Sequence, residues 1–89
     1  MKKKIFVVCP YMNWGDYWFK ELINFFSDDP RIAIGMKVNK RHRIIDFPIA
    51  TIQFVPETKI KTYTQGLHNV AVINWTGNDV AELAQQIVM

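Results

Sequence analysis

The 89-residue chain reads as a single α/β, or α+β, domain spanning residues 1–89, with a mixed β-sheet and two helices. Two observations predict that class. Two continuous apolar runs, at residues 5–9 and 70–73, suit strands covered on both faces, which places them side by side at the centre of a sheet. Between them lie three further β-prone pieces. The links joining these pieces are too short for a parallel return, so they predict antiparallel hairpins.

The first run, Ile5-Phe6-Val7-Val8-Cys9, is rich in β-branched residues and stops at Pro10. A helix is predicted over residues 17–27. Trp18, Phe19, Leu22, Ile23, Phe25 and Phe26 recur at helical spacing, and Lys20, Glu21, Asn24 and Ser27 fall on the other side. Asn13 and Asp16 are spaced as a capping pair, Asp16 and Lys20 as an i,i+4 pair, and Asp28-Asp29-Pro30 ends the helix. The right-handed crossover rule lays this helix over one face of the sheet.

Residues 31–38 alternate. Ile32, Ile34, Met36 and Val38 are apolar, and Arg31, Ala33, Gly35 and Lys37 lie between them, which predicts a strand with one buried face. Asn39-Lys40 makes a turn. Residues 43–47 resume β character up to Pro48, and residues 49–55 form another strand, with Ile52 and Phe54 on one face and Thr51 and Gln53 on the other. After Pro56-Glu57-Thr58, residues 59–64 alternate again and read as a short edge strand guarded by lysines, or as an extended loop. Residues 65–69 read as a turn. A last helix carries Val80, Leu83, Ala84 and Ile87 on one stripe and Glu82, Gln85 and Gln86 on the other side. Thr76 or Asn78 is its expected cap, with Asp79 in the first turn.

Composition sets the broad class. With 49% hydrophobic residues and 13% aromatic, the chain is globular and not disordered. Cys9 is the single cysteine, so no intrachain disulfide or cysteine-built zinc site is possible, and a reducing, intracellular setting is expected. The apolar run after Lys2-Lys3-Lys4 is too short for a secretory signal, and no stretch approaches a membrane span, so a cytoplasmic location is expected. The net charge of +3 mildly favours acidic partners.

Three sets of residues bear on function. The turn at residues 10–16 lies where a central strand meets a helix, the usual place for a ligand in open α/β sheets. It has neither a GxxxxGK[ST] phosphate loop nor a GxGxxG fingerprint. Its aromatics are the feature to explain. Tyr11, Trp14 and Trp18, with Trp75 further on, either pack in the core or offer rings to a ligand, a protein partner or a second copy of the chain. The second set is the basic hairpin Lys37, Lys40, Arg41 and Arg43. It either contacts nucleic-acid phosphates or is a solvated turn, and the absence of a recognition helix or nucleic-acid motif ranks the solvated turn first. The third is titratable chemistry. His42 and His68 have no metal-ligand spacing, Cys9 sits within an apolar strand as an inert thiol, and Asp16 and Asp46 are single carboxylates without evident partners. No catalytic residue, metal ligand or cofactor is called for.

Residues 43–75 carry Ile44-Ile45-Asp46-Phe47-Pro48, Thr51-Ile52-Gln53-Phe54-Val55-Pro56 and Tyr63-Thr64-Gln65-Gly66-Leu67-His68-Asn69-Val70-Ala71-Val72-Ile73. This arrangement resembles the middle of a phage terminase-type P-loop ATPase core, in which two short strands precede a Gly-Leu turn and an apolar strand ending in Asp-Glu. Here Asn74-Trp75 stands in place of Asp-Glu, and the phosphate loop is missing. The resemblance implies a shortened relative without ATPase activity, from a phage or mobile element. The expectation is a small, non-catalytic interaction or regulatory protein. It would bind a partner or itself through the aromatic turn. The alternatives are a nucleic-acid-binding module and a degenerate nucleotide or small-ligand binder.

Overall fold

The computed structural model describes residues 2–64, 66 and 69–88. The elements run β1 (Lys3–Cys9), α1 (Met12–Ser27), α2 (Pro30–Ala33), β2 (Lys37–Asn39), β3 (Ile44–Asp46), β4 (Ala50–Pro56), a 3-10 turn (Glu57–Lys59), α3 (Ile60–Thr64), β5 (Val70–Asn74) and α4 (Val80–Val88). The fold is α/β with a mixed five-stranded sheet in the order β2-β3-β4-β1-β5. β1 pairs in parallel with β4 on one side and β5 on the other, placing Ile5 level with Ile52 and Ala71. The β2-β3-β4 section is antiparallel, as its short links require.

The continuous apolar run of β1 has the predicted cause. Ile5, Val7 and Cys9 face one layer, in which α1 contributes Trp18, Phe19, Leu22 and Phe26 and α4 contributes Leu83 and Ala84. Phe6 and Val8 face the other layer, where Val55 joins them and Ile60 of α3 packs on top. Burying side chains of this size stabilises the fold by about 1.5–3 kcal/mol each.

Five expectations are corrected. Residues 31–36 are not a strand. The Asp29 carboxylate accepts from the Arg31 backbone N–H at 3.0 Å and Pro30 takes the first helical position, so a short helix forms, and Ile34 is left 91% exposed. This local capping outweighs the alternation, and β2 begins only at Lys37. Residues 59–64 are a helical crossover, because β4 and β5 are parallel and the chain must pass over β1 to join them. α1 begins at Met12, five residues before its predicted start. Asn13 and Asp16 therefore lie inside it and do not cap it. α4 is capped by Asp79, whose carboxylate accepts from the Ala81 N–H at 3.0 Å, and not by Thr76 or Asn78. β5 lies beside β1 as expected, but at the sheet edge and not at its centre, and Val72 is exposed. The predicted turn at residues 65–69 lies largely outside the described residues. Within it, Gly66 and Asn69 have positive φ.

The two layers predict unequal sensitivity. Leu22→Ala removes a fully buried side chain and should cost about 2–5 kcal/mol. Ile34→Ala, at an exposed site, should change stability by less than about 0.5 kcal/mol. Urea denaturation of the two variants measures both.

Candidate functional site

The carboxyl ends of β1 and β4 lie side by side, with Cys9 level with Pro56. From there the chain leaves β1 towards α1 on one face and leaves β4 towards α3 on the other. Parting connections of this kind open a crevice at the strand ends. Two clefts flank this point.

The first is aromatic. Tyr11, Asn13, Trp14, Tyr17, Trp18, Gly77 and Asn78 line a cleft of about 420 Å³ between the start of α1 and the loop after β5. No charged side chain lines it. The rings are packed in series. Tyr11 lies edge-on to Trp14 at 6.3 Å, and Tyr17 lies edge-on to Trp18 at 5.1 Å. Trp18 lies edge-on to Trp75 at 5.3 Å. The helical spacing of Trp14 and Trp18 puts both on one side of α1, with ring centres 6.3 Å apart. Burial then divides the set. Tyr11 and Tyr17 are each 57% exposed, Trp14 is half-buried, and Trp18 and Trp75 are buried. Trp75 is fixed to the sheet by its backbone N–H, which donates to the Val8 carbonyl at 3.0 Å. Of the four rings singled out by sequence, Tyr11 and Trp14 reach the surface, Trp18 forms the floor of the cleft, and Trp75 is buried against Trp18 and does not line it. Tyr17 was missed. It lies between Asp16 and Trp18, off the buried stripe of α1, so helical spacing gave no signal for it. The indole N–H groups of Trp14 and Trp75 are covered and find no acceptor among the described residues.

The second cleft is basic. Met12, Arg41, His42, Arg43, Gln53, Phe54, Pro56, Lys59 and Tyr63 surround about 120 Å³ at the end of β4. Of the hairpin residues named by sequence, Arg41 and Arg43 meet here. Lys37 lies elsewhere, in a groove with Lys2 and Asp46, and Lys40 lines neither space. Lys59 was missed, since only the α3 crossover brings it to the hairpin. Arg43 adopts a left-handed conformation (φ 57) and its Nε donates to the Asp16 carboxylate, tying hairpin to helix.

The carboxylates are therefore paired, against expectation. Asp16 takes Arg43, and Asp46 accepts from Lys2 Nζ at 2.7 Å and from the Thr51 hydroxyl at 2.9 Å. The Lys2 ammonium, with help from Thr51, holds the Asp46 carboxyl below the usual carboxylate range. Cys9 is buried, and burial pushes its thiol up to about 11, so it stays protonated at neutral pH and is a poor nucleophile. His68 lies outside the described residues. Among the described residues no group of three His, Cys, Asp or Glu side chains is placed to hold a metal, and no helix is long and apolar enough to cross a membrane.

Comparison with protein-family models, with curated proteins and with solved structures finds no match for this chain.

Two glycines at the aromatic end should respond in opposite ways. A Cβ on Gly77 would stand 2.6 Å from Cη2 of the buried Trp75 ring, which has no room to retreat. Gly77→Ala should therefore destabilise by about 1–3 kcal/mol. A Cβ on Gly15 would meet the flexible end of Met12 at 3.2 Å, and alanine favours a helix over glycine by about 1 kcal/mol. Gly15→Ala should thus be neutral or slightly stabilising. Thermal melting of the two variants checks the contrast.

Proposed function

We propose that this domain acts by binding and not by catalysis, and that its working surface is the aromatic cleft. One observation carries the reading. Tyr11, Trp14 and Tyr17 form an uncharged concave surface over the buried Trp18 indole, the composition found at the anchoring centre of protein interfaces. The floor is rigid, so little ordering cost falls on association. The partner is another protein or a second copy of this chain, in a cytoplasmic setting. The resemblance of residues 43–75 to a terminase-type core supports an origin in a phage or mobile element.

Sedimentation and thermal melting test the surface together. Trp14→Ala should weaken self-association or partner binding while lowering stability only modestly, because Trp14 is half-buried. Trp18→Ala should cost about 3–5 kcal/mol as a large core deletion. Equal, severe loss of stability in both variants would place Trp14 in the core and end the interface reading.

The non-catalytic part of the proposal rests on the missing phosphate loop and acidic pair. The pure protein should show no magnesium-dependent ATP hydrolysis. Turnover that disappears on changing Asp16 or Asp46 would refute it.

A further inference from the structure

The charges of the molecule are sorted by layer. Six of the eight acidic side chains lie on α1, α2, α4 or the residues bounding them, where only Lys20 and Arg31 are basic. Nine of the eleven Lys and Arg lie on or beside the strands, on the β2–β3 hairpin or on the β4–β5 crossover, where only Asp46 and Glu57 are acidic. Asp46 is already held by Lys2. A net charge of +3 thus hides a much stronger polarity, with an acidic helical layer backing a basic sheet.

The basic crevice is a concave point on that positive side where cations converge on a small space. Its volume is about 120 Å³, room for a single phosphate group. Its wall is fixed before anything binds. The Phe54 N–H donates to the Arg43 carbonyl at 3.0 Å, the His42 N–H to Asn39 Oδ1 at 3.1 Å, and Gln53 Nε2 to the His42 carbonyl at 3.4 Å. Gln53 is itself the one buried polar side chain recorded among the described residues, so the hairpin is pinned from within the sheet. Arg43 is committed to Asp16, which leaves Arg41 and Lys59 exposed and without an ion-pair partner among the described residues. At the mouth stands Tyr63, 41% exposed, beside Phe6 at 6.2 Å. Lys4 and Lys37 extend the positive charge along the same sheet face. Alternation puts Lys4 with Phe6, and pairing puts Lys37 with Asp46 and Thr51.

We propose that this crevice holds one phosphate group of a single-stranded nucleic acid whose backbone continues past the exposed Lys4 and Lys37 on the same sheet face. A lone small anion would have only the crevice to bind; a strand also engages the cations beyond it. Tyr63 offers a ring on which a base can stack. Among the described residues the helix on this face, α3, has five residues and packs Ile60 onto the sheet, so it is not free to enter a duplex groove, which favours a single strand. This site is separate from the aromatic cleft and does not depend on its reading.

Fluorescence anisotropy of a labelled, mixed-sequence single-stranded oligonucleotide, titrated with the full chain over a series of salt concentrations, tests the proposal. Binding should weaken as salt rises. Arg41→Ala combined with Lys59→Ala should lower affinity about tenfold or more at low salt, and should flatten the plot of log K against log salt by about 1.4 in slope, the share of two contacts on a single strand. Lys20→Ala, on the acidic layer, should leave both quantities unchanged. Melting curves check that the double variant is folded; if it is not, Arg41→Gln alone should give about half the change in slope. Absence of binding at low salt would overturn the proposal. So would a double variant that binds like the parent, or equal loss in Lys20→Ala. Binding to anionic lipid vesicles but not to the oligonucleotide would assign the crevice to a headgroup and overturn it as well.

Discussion

The structure depends on the two-sided pairing of β1. Both hydrogen-bonding edges of this strand are used, by β4 and β5, and both faces are covered, by α1 with α4 and by α3. A strand in that position has no freedom of register, because a slip of one residue would exchange Ile5, Val7 and Cys9 with Phe6 and Val8 across layers of different depth. The end of β1 is therefore a fixed point. Pro10 and Tyr11 turn the chain there, and the start of α1 places one cleft on each side of the turn.

The two clefts have opposite chemistry because different elements complete them. Towards β5, the wall is the loop at Gly77 and Asn78 over the Trp75 ring, and the space is aromatic and uncharged. Towards β4, the wall is the hairpin with Lys59, and the space is positive. The Arg43–Asp16 pair fastens the hairpin to the first turns of α1. Arg43 holds a left-handed backbone conformation that costs about 1–3 kcal/mol in a residue with a side chain. Its carbonyl, bonded to the Phe54 N–H, and its guanidinium, bonded to Asp16, offset that cost. Glycine would relax the backbone there, but it could not reach Asp16.

Much of the fold was legible in the sequence because hydrophobic pattern and link length act locally. The buried run of β1, the apolar stripe of α1 and the antiparallel β2-β3-β4 section all follow from them. The misreadings occur where another constraint outranked pattern. Alternation at Ile32, Ile34 and Met36 yielded to the Asp29-Pro30 capping unit. Alternation at residues 59–64 yielded to the need for a crossover, and there Thr64 Oγ1 closes the helical turn by donating to the Ile60 carbonyl at 3.0 Å. The apolar run of β5 did not distinguish a central strand from an edge strand packed mainly on one face. At the clefts, Trp14 and Trp18 were legible from spacing along one helix. The meeting of Lys59 with Arg41, and of Gly77 with Trp14, was not, because topology alone unites residues so far apart in the chain.

The parallel pairing of β1 also determines when the sheet can form. Ile5 finds its neighbours only at Ile52 and Ala71, so β1 stays unpaired until the chain well beyond it has been made. In the interval only α1 lies close enough in sequence to shield its apolar side chains. Sheets closed by such distant contacts fold slowly and expose sticky intermediates. The early apolar face of α1, rich in large aromatic side chains, therefore has a second task. It is the nearest cover for the unpaired strand until β4, and then β5, pair with its two edges.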